Sequence, residues 1–188
     1  TVNVDAGTCE AIGVALGNAI VSDNCDDDLV ATNNAPLSFP LGDTTVTWTV
    51  TDDNSNTVTA TQIVTVEDDI VPDFSFVPLD LTVECDVNTT DTANTGGSAT
   101  ATDNCDNNVE ITYTDSTVNG IGNNSVITRE WTATDDSGNV STEDQVITVE
   151  DTTAPTITAP AAVTVNVDAG TCEAIGVALG NAIVSDNC

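Results

Sequence analysis

Residues 44–66 read TTVTWTVTDDNSNTVTATQIVTV, and polar and apolar side chains alternate along both halves of this stretch. Alternation with a period of two is typical of β-strands that bury one face. The two strands are predicted at Thr45–Thr51 and Thr57–Val66. The intervening DDNSN consists of Asp, Asn and Ser, which favour turns. The stretch therefore predicts a β-hairpin with one buried face.

A second hairpin of the same kind is predicted further along the chain. VITREWTATDDSGN (126–139) places Trp131 83 positions after Trp48, and alternation returns at Val146–Val149. No stretch has a convincing helical period; EAIGVALG (10–17) could form a short helix, but its glycines favour a strand. We therefore expect an all-β chain of tandem immunoglobulin-like sandwiches, each with about seven short strands around one Trp in its core.

The chain also repeats itself over a longer distance. The stretch TVNVDAGTCEAIGVALGNAIVSDNC (1–25) recurs letter for letter at 164–188, so the repeat has a period of 163 positions. Each period holds two related domains, because QIVTVED (62–68) matches QVITVED (145–151). We expect a window of a longer array. Its predicted parts are domain A (1–68, without its first residues), domain B (69–151) and the start of the next domain A (152–188).

The composition excludes several functions. The chain carries 31 acidic residues against one basic residue, Arg129, and has a net charge of −30. Nucleic acids and anionic membranes need a basic patch, so neither is an expected partner. Without His or Lys there is no imidazole base, Schiff-base amine or Lys–Asn cross-link, and no nucleophile–base constellation is visible. We expect a protein without enzymatic activity, and Arg129 is expected to form a weak surface ion pair.

Domain A resembles a known extracellular module. It contains, in order, TVNVDAGTCEA, SDNC, LSFPLGDTTVTWTVTDDNSN and IVTVED. This set resembles the hyalin repeat (HYR) domain, whose pattern includes an Asp-Asn-Cys turn, Phe-Pro-x-Gly and Thr-Asp-x-x-Gly-Asn. Ser55 stands at the Gly of the last motif, and domain B has NGIGNNSV (119–126) in place of Phe-Pro-x-Gly. The resemblance implies immunoglobulin-like domains at the cell surface or outside the cell.

Tandem HYR-like repeats that end in Val-Glu-Asp before a Pro resemble the giant surface adhesins of Bacteroidetes. Those adhesins are exported by a type IX system, and some are the mobile adhesins of gliding cells. The resemblance implies adhesion and architecture rather than catalysis. Partners would be neighbouring repeats of the same chain, other filaments or a surface ligand, and this segment would not insert into a membrane.

Six cysteines are present, two in each predicted domain. An even number in an extracellular chain favours disulfides, and the simplest pairing stays within each domain. Zinc is the weaker alternative, because there is no His and no Cys-x-x-Cys motif. Cys85 lies earlier in its domain than Cys9 does, so bridges within the domains could not be equivalent. The predicted disulfides are Cys9–Cys25, Cys85–Cys105 and Cys172–Cys188.

Acidic residues are concentrated in three segments: the predicted linker, the Asp-Asn-Cys turn and the last hairpin loop. In an immunoglobulin-like sandwich this turn and this loop lie at the end where the preceding linker arrives. The resemblance therefore implies that the segments meet at one junction. Ca²⁺, which takes 6–8 oxygen ligands with flexible geometry, suits such a cluster better than Mg²⁺. The candidate ligands at this junction are Glu67, Asp68, Asp69, Asp103, Asp106, Asp135 and Asp136.

The same pattern recurs on either side. Glu150, Asp151 and Asp186 would belong to the next junction, and Asp23, Asp26, Asp52 and Asp53 would face a linker that precedes Thr1. The alternative is that these acids are solvated loop residues that keep the chain soluble. If calcium binds, it would fix the angle between domains, and each period would extend the rod by about 70–90 Å.

Two functions stay open at this point. The first is the repeated stalk of a very long extracellular adhesin or surface filament. The second is a binding module for a carbohydrate or protein ligand that acts through the avidity of its repeats. Near-perfect repetition favours length over ligand specificity.

Overall fold

A computed structural model describes residues 1–188. The chain is all-β, as the alternating pattern predicts, and its only helix is a 3-10 helix at Thr92–Thr95. No helix has the length and apolar character that a membrane crossing requires. Six strands fall within residues 1–68 and six within 69–151, where about seven each were predicted.

The first six strands form two sheets. β5 and β6 are the predicted hairpin, with Thr51 opposite Thr57 at the loop and Gly42 opposite Val66 at the far end. They lie in a four-stranded sheet of order β1-β6-β5-β3, and β2 pairs with β4 in a second sheet. The strands are β1 (Val2–Asn3), β2 (Glu10–Ile12), β3 (Thr32–Asn33), β4 (Ser38–Pro40), β5 (Gly42–Thr51) and β6 (Thr57–Glu67).

The two sheets pack against each other. Ala11 and Phe39 from the small sheet join Val46, Val64 and Val66 from the large sheet in one buried cluster. These residues alternate with more exposed threonines along β5 and β6, which is the reason the sequence forms a hairpin with one apolar face.

The next six strands repeat the four-stranded sheet, but their two-stranded sheet is built from different segments. A four-stranded sheet has the order β10-β11-β12-β8, and β7 pairs with β9. Trp131 is buried as predicted and packs against Tyr113, with 5.2 Å between ring centroids, whereas Trp48 is only half-buried. The strands are β7 (Asp73–Phe76), β8 (Leu81–Glu84), β9 (Thr100–Thr102), β10 (Glu110–Asn119), β11 (Ser125–Thr134) and β12 (Val140–Glu150).

The last residues form one strand pair, and it matches an earlier one. β13 (Thr156–Thr158) pairs antiparallel with β14 (Ile183–Ser185), and the equivalent pair 83 positions earlier consists of β7 and β9. Ile20–Ser22 have the same sequence as β14 but form no strand. Strand formation at these residues therefore depends on a pairing partner rather than on local sequence.

The chain divides into two compact units. The first comprises residues 1–77, 99–114 and 130–144, and the second comprises residues 78–98, 115–129 and 145–188. The predicted domain boundaries at 68/69 and 151/152 stay a prediction from the sequence.

Two disulfides are present, but the predicted pairing is wrong. Cys9 bonds to Cys105 with 4.8 Å between Cα atoms, and Cys85 bonds to Cys188 with 5.9 Å, so Cys25 and Cys172 are free. The physical reason is visible at the first bond. The side-chain amide of Asn104 donates to the Thr8 carbonyl at 2.7 Å, which holds the Asp-Asn-Cys turn of predicted domain B against the turn that carries Cys9.

Arg129 also differs from expectation, because it is fully buried rather than on the surface. Its guanidinium donates two hydrogen bonds to Asp115, each 2.8 Å long. Further donors reach the Thr95 hydroxyl at 2.9 Å and the Thr89 carbonyl at 2.7 Å. Buried Gln145 donates to the Thr95 carbonyl at 2.7 Å, so the two side chains hold the 3-10 helix to the strands. Its ion pair with Asp115 joins residues 14 positions apart in the sequence.

Candidate metal centre

Three carboxylates form a compact group in the first unit, called here the carboxylate cluster. One oxygen of each lies within 4.8 Å of the others. Asp68 follows the end of β6, Asp103 follows β9, and Asp135 follows β11. Asp68 and Asp135 are buried, and Asp103 is half-buried. The linker, the Asp-Asn-Cys turn and the hairpin loop therefore each contribute one acid.

Local hydrogen bonds hold the two loop carboxylates in place. Asp103 Oδ1 accepts from the backbone N–H groups of Cys105 at 2.8 Å and Asp106 at 3.0 Å. Asp135 Oδ1 accepts from the N–H groups of Ser137 at 2.9 Å and Asn139 at 2.8 Å. Asp and Asn favour such turns because a short side chain can bond to the backbone two residues on.

Asn139 joins the hairpin loop to the linker. Its side-chain amide donates to Asp135 Oδ2 at 2.9 Å and to the backbone carbonyl of Asp68 at 3.0 Å. The linker is held a second time by Ser141, whose hydroxyl donates to the Pro72 carbonyl at 2.7 Å. Sequence reading missed Asn139, although its position at the end of DDSGN, matched by Asn56 in DDNSN, was a usable signal.

Two oxygens of the cluster lack a hydrogen-bond donor. These are Oδ2 of Asp68 and Oδ2 of Asp103, which are buried and accept no hydrogen bond. Oδ1 of Asn104, in the same turn as Asp103, is also buried and accepts none. A buried polar atom without a partner costs about 1–3 kcal/mol, and more if it is charged. The unmet oxygens could therefore accept a positively charged ligand.

The donor set fits a hard divalent cation. Two unit charges 4.8 Å apart repel by roughly 3–4 kcal/mol at an effective dielectric constant of about 20, and no Arg or Lys lies in this unit to offset the repulsion. Oxygen ligands from carboxylates and amides are those that Ca²⁺ takes, in flexible geometry. The cluster could supply three carboxylates to such an ion, the remaining positions being left to other oxygens or water.

The other four acids predicted at this junction lie outside the cluster. Glu67, Asp69 and Asp136 are exposed, and the side-chain amide of Asn3 donates to Asp69. Asp106 is buried, but its carboxylate accepts from the N–H groups of Asn108 at 2.7 Å and Asp136 at 3.1 Å. Asp106 therefore ties the Asp-Asn-Cys turn to the hairpin loop.

The acids of predicted domain A repeat these loop geometries without forming a cluster. Asp23 Oδ1 accepts from Cys25 N–H at 2.8 Å, as Asp103 does from Cys105. Asp53 N–H donates to Asp26 at 3.3 Å, as Asp136 does to Asp106. The pKa of Asp52 is lowered, chiefly by the side-chain amide of Asn56 and then by the Asn56 N–H.

In the second unit, the acids predicted for the next junction are not gathered together. Glu150, Asp151 and Asp186 are exposed. Asp151 instead lies near Glu84 and the Cys85–Cys188 disulfide, whose bonded sulfurs are not thiolate ligands. Sequence reading missed Glu84, which is opposite Glu150 in the β8–β12 pair, as Asn3 is opposite Glu67 in β1–β6.

The pKa of Glu84 is lowered from 4.5. The main cause is the Thr152 hydroxyl, which donates to its carboxylate, followed by the Thr152 N–H at 3.2 Å; desolvation opposes the shift, and Asn187 adds a smaller lowering. The first unit has a corresponding contact, in which Asn3 stands at the position of Glu84 and Asp69 at the position of Thr152. Here the strand residue Asn3 donates and Asp69 accepts. In both places a side chain at the end of one strand of a parallel pair contacts the second residue beyond the end of its partner strand.

Comparison with known proteins adds no family assignment. No protein-family model matches the chain, and no curated protein matches it.

Proposed function

We propose that this chain is a structural repeat segment, the stalk of a very long extracellular adhesin or surface filament built from HYR-like, immunoglobulin-like domains. One observation carries the proposal. The carboxylate cluster takes Asp68 from the linker and Asp103 and Asp135 from loops of predicted domain B, and two of its buried oxygens lack a donor. One cation bound by these three residues would join the linker to both loops, which supports a mechanical role.

Calcium would stiffen the stalk by binding at this cluster. Without the ion, three close carboxylates repel one another and favour opening of the linker contact. With the ion, each carboxylate would be attracted to the same cation, which would join the linker, the turn and the loop through one centre. A ligand that binds only the closed arrangement stabilises it by about 2.7 kcal/mol at a hundred times its dissociation constant.

The Cys9–Cys105 disulfide supports the same mechanical role. Cys105 lies two residues after Asp103, so the turn that supplies a candidate ligand is also covalently tied to predicted domain A. Ionic and covalent attachments of one turn would limit motion of the linker more than either alone.

Calorimetric titration with Ca²⁺ tests the proposal. We expect binding to the 188-residue chain, and an affinity at least about tenfold weaker in Asp68→Asn and Asp103→Asn because each removes a carboxylate with an unmet oxygen. Asp136→Asn is the matched control, because this exposed acid lies next to the cluster but outside it. No binding at millimolar Ca²⁺, or equal losses in all three variants, would contradict calcium at this cluster.

Electron microscopy of the native object separates a stalk from a ligand-binding module. We expect a thin beaded fibre with a repeat of about 80 Å, as two sandwiches per period require. EDTA should make the fibre more flexible without dissociating it. Isolated globules, together with glycan binding by a single period of the repeat, would favour the ligand-binding function instead.

A further inference from the structure

The two free cysteines are sequence copies of two bonded ones. Residues 1–25 and 164–188 are identical, so Cys25 corresponds to Cys188 and Cys172 corresponds to Cys9. Cys9 and Cys188 are both in disulfides, whereas Cys25 and Cys172 are exposed thiols. The same cysteine of the repeated sequence is therefore bonded in one copy and a free thiol in the other.

The turn around the free Cys172 already has the geometry of the turn around its bonded copy, Cys9. Before Cys172, Asp168 N–H donates to the Glu173 carbonyl at 2.8 Å and Asp168 Oδ2 accepts from Ile175 N–H at 2.9 Å. The corresponding bonds of Asp5 are 2.9 and 2.7 Å. The free Cys172 thiol is thus carried on a turn that does not need its disulfide to form.

The observed bonds follow one rule. Cys105, the second cysteine of predicted domain B, bonds to the first cysteine of the domain before it, Cys9. Cys188, the second cysteine of the next domain, bonds to the first cysteine of domain B, Cys85. Applied to the free thiols, the rule pairs Cys172 with the next copy of Cys105 and Cys25 with the previous copy of Cys85.

We propose that the repeat forms a disulfide ladder in which every domain is bonded to the domain before it and the domain after it. The ladder rests on the repetitive stalk of the proposed function, but not on calcium. Its partner for each free thiol is a cysteine of the adjoining copy of this chain.

Each rung forms by oxidation of two thiols. The thiolate of the next copy of Cys105 first attacks the disulfide of an oxidised dithiol oxidoreductase, which forms a mixed disulfide and frees one oxidoreductase thiolate. The Cys172 thiolate then attacks the Cys105 sulfur of that mixed disulfide, and the second oxidoreductase thiolate leaves; the two protons lost by the cysteines end on the reduced oxidoreductase dithiol. The two thiols lose two protons and two electrons, and the oxidoreductase disulfide accepts both electrons. Such oxidants operate in extracytoplasmic compartments.

Peptide mapping by mass spectrometry without reduction tests the ladder in a chain that carries two full periods. We expect a new peptide that joins Cys172 to the next copy of Cys105, while Cys9–Cys105 and Cys85–Cys188 persist. Replacing the second copy of Cys105 by Ser should return Cys172 to the alkylatable state and leave the other two bonds intact. A Cys172–Cys188 peptide, or a Cys172 thiol still free in the extended chain, would overturn the ladder.

The 188-residue chain provides a second test that does not need the longer array. Alkylation of the folded, oxidised chain should add two labels per molecule, at Cys25 and Cys172 only. Labels on Cys85 or Cys188 would contradict the pairing rule. Neither readout depends on Ca²⁺, so failure of the ladder and failure of the calcium site are distinguishable.

Discussion

Ser55 and Gly138 occupy the same position in two equivalent five-residue loops, and the backbone φ angle is positive at both, 70° at Ser55 and 88° at Gly138. In each loop the N–H of this residue donates to the carbonyl of the first Asp, at 3.0 Å to Asp52 and 3.1 Å to Asp135. The left-handed conformation costs an L-residue roughly 1–2 kcal/mol, and Gly avoids this cost. Ser55 is the only residue other than Gly with positive φ.

Ser55→Gly should therefore raise the free energy of unfolding by about 1 kcal/mol, and Gly138→Ser should lower it by a similar amount. Denaturant titration with the disulfides intact measures both changes. Ser137→Gly is the control: it adds the same flexibility without relieving positive φ, so a stabilisation equal to that of Ser55→Gly would refute the explanation.

Arg129→Met should strongly destabilise the second unit. The substitution leaves Asp115, the Thr95 hydroxyl and the Thr89 carbonyl without the guanidinium. Breaking a buried ion pair costs about 3–5 kcal/mol, and we expect the lower end because Asp115 is 23% exposed and can be hydrated. Thermal unfolding measures the loss, and Glu130→Gln on the exposed side of the same strand should change stability little.

Acid should weaken the attachment of Thr152 to Glu84. The folded pKa of Glu84 is lowered from 4.5, so its stabilising contribution is complete above that value and is lost as pH falls through the lower folded pKa. In Glu84→Gln the free energy of unfolding should therefore depend less steeply on pH below about 4.5. The exposed acid Glu143 supplies the control, and an equally flattened profile in Glu143→Gln would argue against this assignment.

Trp48 should become buried when a copy of residues 152–163 is added before Thr1. A cavity of about 260 Å³ lies beside Trp48, and Ile20 and Val21 line it. In the identical sequence at Ile183–Ser185, these residues pair with Thr156–Thr158. The added strand should pair in the same way and shift Trp48 fluorescence to shorter wavelength, measured with Trp131 replaced by Phe. An extension of scrambled sequence should leave the emission unchanged.

The sequence pattern predicts the strands well where alternation is strong. The predicted strands Thr45–Thr51 and Thr57–Val66 lie within β5 and β6, and DDNSN forms the loop between them. The prediction succeeds because a strand with one buried face has an apolar residue at every second position. The alternating pattern does not predict strands that form only when a partner strand is present to pair with. Residues 20–22 and 183–185 are identical, yet only the second segment is a strand.

The pairing of the cysteines could not be predicted for a related reason, whereas the burial of Arg129 could have been. Sequence proximity suggested Cys9–Cys25, but the bond depends on which turn packs against Thr8, and that turn is 96 residues away. Arg129 lies 83 positions after Val46, which is also fully buried, so the internal repeat already marked this position as a core site. For the acidic residues, clustering in the sequence indicated the loops that contribute to the carboxylate cluster. Which acid of each loop belongs to the cluster depends on three-dimensional packing, which brings Asp68, Asp103 and Asp135 together.

The two disulfides are interleaved, and this sets how far the chain can be stretched. A pulling force follows the shortest covalent route, which crosses from Cys9 to Cys105, runs back to Cys85 and crosses to Cys188. Only the segment between Cys85 and Cys105 then bears tension, instead of the whole chain between Cys9 and Cys188. At about 3.3–3.6 Å per residue, the contour length between those ends falls from about 590–640 Å to about 65–70 Å.

In a disulfide ladder, the backbone that bears tension in each period would be the segment from Cys9 to Cys25 and the segment from Cys85 to Cys105. Together they set a limit of about 120–130 Å per period, plus two disulfides, even if every domain unfolds. A reduced chain could reach about 540–590 Å over the same period. An oxidised array would thus behave as a tether of limited extensibility under shear, and a thiol reductant would convert it into a much more extensible one.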